Sequence, residues 1–162
     1  MLDLRGQLPV RLDTPPYQKR PLDGIVGTTI HYTAGSPTAS VEDVARYQVG
    51  PNAQETFSAI AYTIVVPSSG VPALCHSLDV RCWHSGARIG GVSRNVSHVG
   101  ICWIGNDVPT AAQIEGLRRA VRWCSDQLGR ELAVEGHREA PYATACPGIR
   151  FKEWIDQVRS YR

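Results

Sequence analysis

Apolar residues recur in two different rhythms along this chain of 162 residues. Three short β-rich runs, 25–33 (Ile-Val-Gly-Thr-Thr-Ile-His-Tyr-Thr), 59–66 (Ala-Ile-Ala-Tyr-Thr-Ile-Val-Val) and 99–104 (Val-Gly-Ile-Cys-Trp-Ile), are each closed by turn-forming residues and read as buried strands. Within the second run Tyr62 and Ile64 stand two apart, which places them on one face of a strand. Pro67-Ser68-Ser69-Gly70 predicts a turn, with 71–75 returning as a hairpin partner, and a further short strand is expected at 132–135. The helical rhythm is clearest after Thr110. Thr110 and Gln113 form a capping box, Ile114, Leu117, Val121, Cys124 and Leu128 follow at steps of three and four, and Gly129 ends the pattern. Ser40 and Asp43 open a shorter helix to about Gln48, and 151–161 predicts a last one. The glycine-rich stretch 83–96 shows little periodicity and reads as a loop. Alternating strands and helices define an α/β class around one sheet. Residues 1–24, rich in Pro, Arg, Leu and Asp, read as an N-terminal arm packed on a single domain of residues 25–162.

Composition changes this picture little. Hydrophobic residues make up 43% and charged residues 20%, as in ordinary globular domains, which excludes disorder and coiled coil. A formal net charge of +2 gives no ground for a nucleic-acid partner. The N-terminus, Met1-Leu2-Asp3-Leu4-Arg5-Gly6, lacks an apolar stretch behind it, so no signal peptide is expected, and no run is long enough for membrane insertion. The chain is therefore expected either to be cytoplasmic on synthesis and released later or to be excised from a longer protein, and to be monomeric. The five cysteines are an odd count, which favours buried thiols or metal ligation over a disulfide framework.

The candidate chemistry lies in His31, near the end of the first strand, and in His137 and Cys146, which bracket the loop Gly136-His137-Arg138-Glu139-Ala140-Pro141-Tyr142-Ala143-Thr144-Ala145-Cys146-Pro147-Gly148. Imidazole and thiolate suit zinc, and three protein ligands leave a fourth position open, as catalytic rather than structural sites do. A zinc ion so held lowers the pKa of a bound water towards ~7. A rival cluster, Cys75, His76, Cys82 and His84, lacks the paired spacing of a zinc knuckle, and adjacent residues on a strand point to opposite faces.

These segments resemble, in order, the motifs of the zinc-dependent amidase family that includes peptidoglycan recognition proteins and the lysozyme-like amidases of phages. Thr29-Ile30-His31-Tyr32-Thr33-Ala34-Gly35 is similar to the opening strand with its first zinc histidine. Ala61-Tyr62-Thr63-Ile64-Val65-Val66 is similar to the second strand, with Thr63 where histidine is common. Trp83-His84-Ser85-Gly86 resembles the Trp-His-Ala-Gly loop, Asn95 stands five residues before Gly100, and Gly136-His137-Arg138 with Thr144-Ala145-Cys146-Pro147-Gly148 resembles the closing zinc motif. The likeness spans about residues 25–155.

The resemblance implies a central mixed β-sheet flanked by α-helices and hydrolysis of the amide between the lactyl group of muramic acid and L-alanine in peptidoglycan. One zinc ion would be held by His31, His137 and Cys146. Tyr62 and Thr144 would be catalytic, Tyr62 as a donor to the developing oxyanion. His84, Asn95, Tyr32 and Arg138 would line the substrate groove, and Arg88, Arg94 or Arg138 could pair with a stem-peptide carboxylate. Other branches carry a glutamate as general base where this chain has Cys102, so proton transfer would rest on Tyr62 and the metal site. A lytic enzyme of phage or bacterial origin is implied. The alternative is a non-catalytic peptidoglycan-binding module of the same fold, against which the presence of Cys146 counts. Some phage amidases also contact a polymerase, but no segment here marks such a surface.

Overall fold

The structure, a computed structural model, describes residues 1–51, 57–141 and 143–161. Tyr142 of the closing loop lies outside them. In chain order the elements are β1 (Leu2–Asp3), β2 (Gly27–Tyr32), α1 (Val41–Val49), β3 (Ile64–Val66), β4 (Ala73–Leu74), β5 (Arg88–Ile89), β6 (Val92–Ser93), α2 (Arg94–Ser97), β7 (His98–Trp103), α3 (Ala111–Leu128), β8 (Ala133–Gly136) and α4 (Ile155–Arg159). Six strands form one mixed sheet in the order β1-β4-β3-β7-β2-β8. Its centre is parallel: β2 pairs with both β7 and β8, and β3 with β7, while β3 and β4 are antiparallel.

Side chains alternate across this sheet, so each face builds its own core. Ile30, Ile64, Val66, Val99, Ile101 and Trp103 point to one face, where Leu117, Val121 and Cys124 of α3 and Ile155 and Val158 of α4 seal them. The box on α3 is reciprocal: Thr110 Oγ1 accepts from the Gln113 N–H at 3.2 Å, and the Gln113 side chain accepts from the Thr110 N–H at 3.0 Å. Gly129 closes that helix in the left-handed conformation, at φ 63°. Val65, Ala73, Cys102 and Ile104 point the other way, against Val41, Val44 and Ala45 of α1. That second face has a nine-residue helix where the first has an eighteen-residue one. The candidate site lies on this second side, since His31 alternates with Ile30 along β2.

Four elements depart from the sequence pattern. The strand expected over 59–66 shortens to Ile64–Val66. Ahead of it the Ala61 N–H donates to Gln48 Oε1 at 2.9 Å rather than to a neighbouring strand. Tyr62 therefore does not share a face with Ile64. It packs against the α1-side core, near Cys102, while Ile64 is in the opposite core. The stretch 83–96 is not all loop, because β5 and β6 form a hairpin and α2 follows. Gly90 and Gly91 stand at φ 56° and 80°, the pair of left-handed residues that a two-residue hairpin turn requires. The C-terminal helix splits into a 3-10 turn at Phe151–Glu153 and α4. The arm contributes a two-residue strand, β1, parallel to β4, and a bridge between Lys19 and Val80.

Candidate functional site

His31 and His137 come from adjacent parallel strands. His31 is the penultimate residue of β2, and His137 follows directly on β8, so both rings lie at the carboxyl ends of neighbouring strands, where open α/β sheets bind their ligands. The ring centroids are 4.5 Å apart. The loop after β8 then returns Cys146 to them: the Arg138 N–H donates to the Cys146 carbonyl at 2.8 Å, and Cys146 Sγ stands 3.5 Å from His31 Nδ1. One ligand atom from each of His31, His137 and Cys146 lies within 4.8 Å of the others, and among the described residues they are the only such metal-capable group. Cys75, His76, Cys82 and His84 form none. Cys75, Cys82, Cys102 and Cys124 are buried free thiols, as expected, and Cys146 alone is half-exposed.

These donors fit zinc. A tetrahedral zinc ion keeps its sulfur and nitrogen ligands about 3.6 Å apart, close to the 3.5 Å between Cys146 and His31. Burial, with His84 and His137 close by, pushes His31 well below its usual 6.5, and burial pushes His137 to about 4, so both rings are neutral at neutral pH, the form that binds a cation. Burial also raises the Cys146 thiol to about 12, against a smaller opposing pull from the Tyr32 backbone N–H. A cation entering the set would displace that thiol proton.

Each of the two histidines is held by the loop after Trp83. His31 Nε2 lies 3.0 Å from His84 Nδ1, and His84 Nε2 lies 3.2 Å from the His98 carbonyl. Ser85 Oγ lies 3.1 Å from His137 Nε2 and accepts from the Ala87 N–H at 3.2 Å. Asn95 Oδ1 accepts the Ser85 N–H at 2.8 Å. Buried Arg20 donates to the Asn95 carbonyl at 3.0 Å and also to that of His98. A Cβ at Gly100 would come within 2.6 Å of His84 Cγ, so only glycine in β7 lets this ring lie against the sheet.

The remaining sequence-selected residues spread around this centre. The Tyr62 ring lies 5.3 Å from that of His31. Burial first, then the Cys102 and Cys146 sulfurs, holds its phenol well above 10, and Gln48 is its other polar neighbour. Tyr62 lines two clefts of about 380 and about 430 Å3, the second of which reaches Trp83, Arg88, Asn95 and His137. Thr144 Oγ1 accepts from the Cys146 N–H at 3.1 Å. His84 and Asn95 are buried and line the second cleft, and both His84 ring nitrogens and Asn95 Oδ1 are engaged within the protein. The Tyr32 ring packs on Trp103 at 5.8 Å, and the Arg138 guanidinium sits 5.5 Å over the Phe151 ring. Arg94 is paired with Glu135 at 3.0 Å. Sequence reasoning gave no role to Ser85, Gln48 or Arg20. Ser85 stood inside a recognised motif, but serine is too common in loops to be singled out.

His98, behind His84, makes acid sensitivity testable. Its Nδ1 lies 3.0 Å from Ser97 Oγ, and its Nε2 is 3.8 Å from Glu135 Oε1, a contact that would favour the imidazolium. But Glu135 is already taken by Arg94 and Thr29. Burial, followed by Arg94 and Arg20, wins, and His98 falls from 6.5 to about 4. The unfolded chain takes up this proton near 6.5 and the folded one near 4, so the stability is present above 6.5 and lost as pH falls towards 4. The shift corresponds to on the order of 3 kcal/mol. Melting temperatures of chelator-treated protein should fall more steeply between pH 6.5 and 4.5 for the wild type than for His98→Gln. Parallel curves would refute the assignment.

An α/β domain with a His-His-Cys cluster at the carboxyl edge of its parallel strands is the class that these observations define. The sequence profile of the N-acetylmuramoyl-L-alanine amidase family matches residues 19–149, and the chain belongs to that family. No curated protein sequence matches significantly. Among solved structures, the chain is similar to Drosophila peptidoglycan recognition protein SD at 17% identity and a TM-score of 0.72, over 91% of this chain and 88% of that one. It is similar to the Ph2119 endolysin of a Thermus scotoductus bacteriophage at 16% identity and a TM-score of 0.66, over 97% of each chain. Peptidoglycan recognition protein LE in complex with tracheal cytotoxin, a monomeric diaminopimelic acid-type peptidoglycan, matches at 18% identity and a TM-score of 0.72, over 96% of this chain and 92% of that one. These likenesses confirm the mixed sheet with flanking helices. The family places the chain among peptidoglycan amidases and the peptidoglycan-binding domains that share their fold.

Proposed function

We propose that this chain is a zinc-dependent N-acetylmuramoyl-L-alanine amidase, hydrolysing the lactyl–L-alanine amide of peptidoglycan as a lytic enzyme of phage or bacterial origin. The observation that carries the reading is the convergence of His31, His137 and Cys146 within 4.8 Å beside two clefts. A binding module that does not cut has no need of a cysteine returned to two histidines. Zinc held by these side chains would supply Lewis acidity and an open position for water or a carbonyl oxygen.

The chain's own groups divide the remaining work. Hydrolysis adds water across the amide and releases a carboxylate and an amine. Tyr62, protonated throughout the neutral range, donates its O–H to the carbonyl oxygen as negative charge gathers there. The Thr144 oxygen accepts from the Cys146 N–H, which leaves its own O–H available for the same task. Cys102 is buried and its thiol lies well above 9, so it does not serve as the general base. The two clefts that Tyr62 lines are where glycan and stem peptide would lie, with Arg88 lining one.

The test is digestion of purified peptidoglycan by metal-replete protein, with zinc content and product masses measured together. The expected result is one zinc per chain and free stem peptides beginning with L-alanine. Binding to the wall with no release of stem peptide, where a control amidase works, would overturn the reading in favour of the binding module.

A further inference from the structure

Two consecutive residues, His84 and Ser85, each hold a ring nitrogen of one metal-capable histidine. We infer that the His84–Ser85 pair is the positioning device of the metal centre, with His84 dictating the tautomer of His31 and Ser85 orienting His137. The inference rests on the zinc reading above and deepens it. It also gives His84 a task besides lining the cleft, since both of its ring nitrogens are engaged inside the protein.

The argument starts at a backbone atom. The His98 carbonyl can only accept, so His84 Nε2 carries the proton that lies between them, at 3.2 Å. A neutral imidazole has one N–H, so His84 Nδ1 is a bare acceptor. His31 Nε2, 3.0 Å away, must then be the donor, and His31 is left with a bare Nδ1. That is the atom facing Cys146 Sγ at 3.5 Å. The opposite tautomer of His31 would set two lone pairs against each other at Nε2 and point an N–H at the sulfur. On the second ligand, Ser85 Oγ engages His137 Nε2 at 3.1 Å and so fixes the setting of that ring. Outer-shell partners of this kind fix ring orientation and raise ligand basicity.

The device is itself clamped. Asn95 fixes the Ser85 N–H, Arg20 fixes the His98 carbonyl that orients His84, and the bare backbone of Gly100 lets the His84 ring sit flat on β7. His84 is 6% and Ser85 4% exposed, which keeps water from competing for these bonds.

Zinc dissociation constants, measured by competition with a chromophoric chelator on the full chain, test this. His84→Ala and Ser85→Ala should each weaken zinc by about tenfold to a hundredfold. His84→Asn should recover most of the loss, because its side-chain oxygen replaces Nδ1 as acceptor. Nitrogen-15 spectra of the histidine rings should show His31 protonated at Nε2 in the zinc-loaded wild type, with that proton losing its protected position in His84→Ala. Circular dichroism and melting of the chelated variants separate loss of fold from loss of metal. Where His84→Ala does not fold, Ser85→Ala and His84→Asn carry the test. Zinc binding unchanged within about threefold in well-folded alanine variants, well below the range expected for such partners, overturns the inference and leaves the amidase reading intact. Equal weakening by Asn and Ala overturns the acceptor role of His84. A wild type that binds no zinc overturns the metal reading itself.

Discussion

Replacing Cys146 by serine is expected to remove stoichiometric zinc and peptidoglycan cleavage together while leaving the fold in place. Cys146 sits half-exposed in the loop after β8 and belongs to neither apolar core, so its exchange should cost little stability. Its chemistry is another matter. The serine hydroxyl is a harder and far weaker acid than the thiol, and two neutral histidines without a thiolate are a poor set for zinc. Loss of the metal takes away charge stabilisation at the carbonyl as well as the open coordination position. Activity should therefore fall by more than the roughly 10²–10³-fold that follows loss of a single oxyanion donor. Elemental analysis of dialysed protein gives the zinc content, and mass spectrometry of digested peptidoglycan gives the turnover. A Cys146→Ser protein that keeps one zinc per chain and full release of stem peptides would rule out the ligand assignment.

What the sequence made legible was local chemistry with few solutions. The capping pair Thr110–Gln113 and the stripe from Ile114 to Leu128 specify α3 because a helix is the only backbone that gathers those residues on one side. His31, His137 and Cys146 are legible as donors, and the order of the motifs around them resembles that of the family. What the sequence hid was the use made of ambiguous residues. Ile89-Gly90-Gly91-Val92 carries a hairpin signal, but glycines in a polar stretch read equally well as loop. Tyr62 looked like part of a strand because apolar residues surround it. The contact that draws this backbone off the ladder, at Ala61, comes from Gln48, thirteen positions earlier in another element. Arg20 and Ser85 gain meaning only from the carbonyls and ring nitrogens brought to them by β7 and β8. Function at this site depends on second neighbours, and second neighbours are a property of the fold.

Tyr62→Phe isolates the one catalytic contribution that packing could imitate. The ring packs against the α1-side core and lies 5.3 Å from His31, so phenylalanine keeps the apolar contacts and removes the hydroxyl alone. If Tyr62 acts through its O–H, the turnover number should drop by about 10²–10³-fold, the usual cost of one preorganised donor. Zinc content, melting temperature and KM should change little, since the lost bond strengthens only as charge develops. The raised phenol adds a second signature. Burial keeps Tyr62 protonated well beyond 10, so the activity of the wild type should show no falling limb from this group between pH 7 and 9. If Tyr62 serves only as core, Tyr62→Phe should retain full turnover, and the proton route would pass to Thr144. A double variant with Thr144→Val then distinguishes shared from separate donation: two donors aimed at one oxygen give losses that do not add, because the remaining donor carries more of the charge once the first is gone.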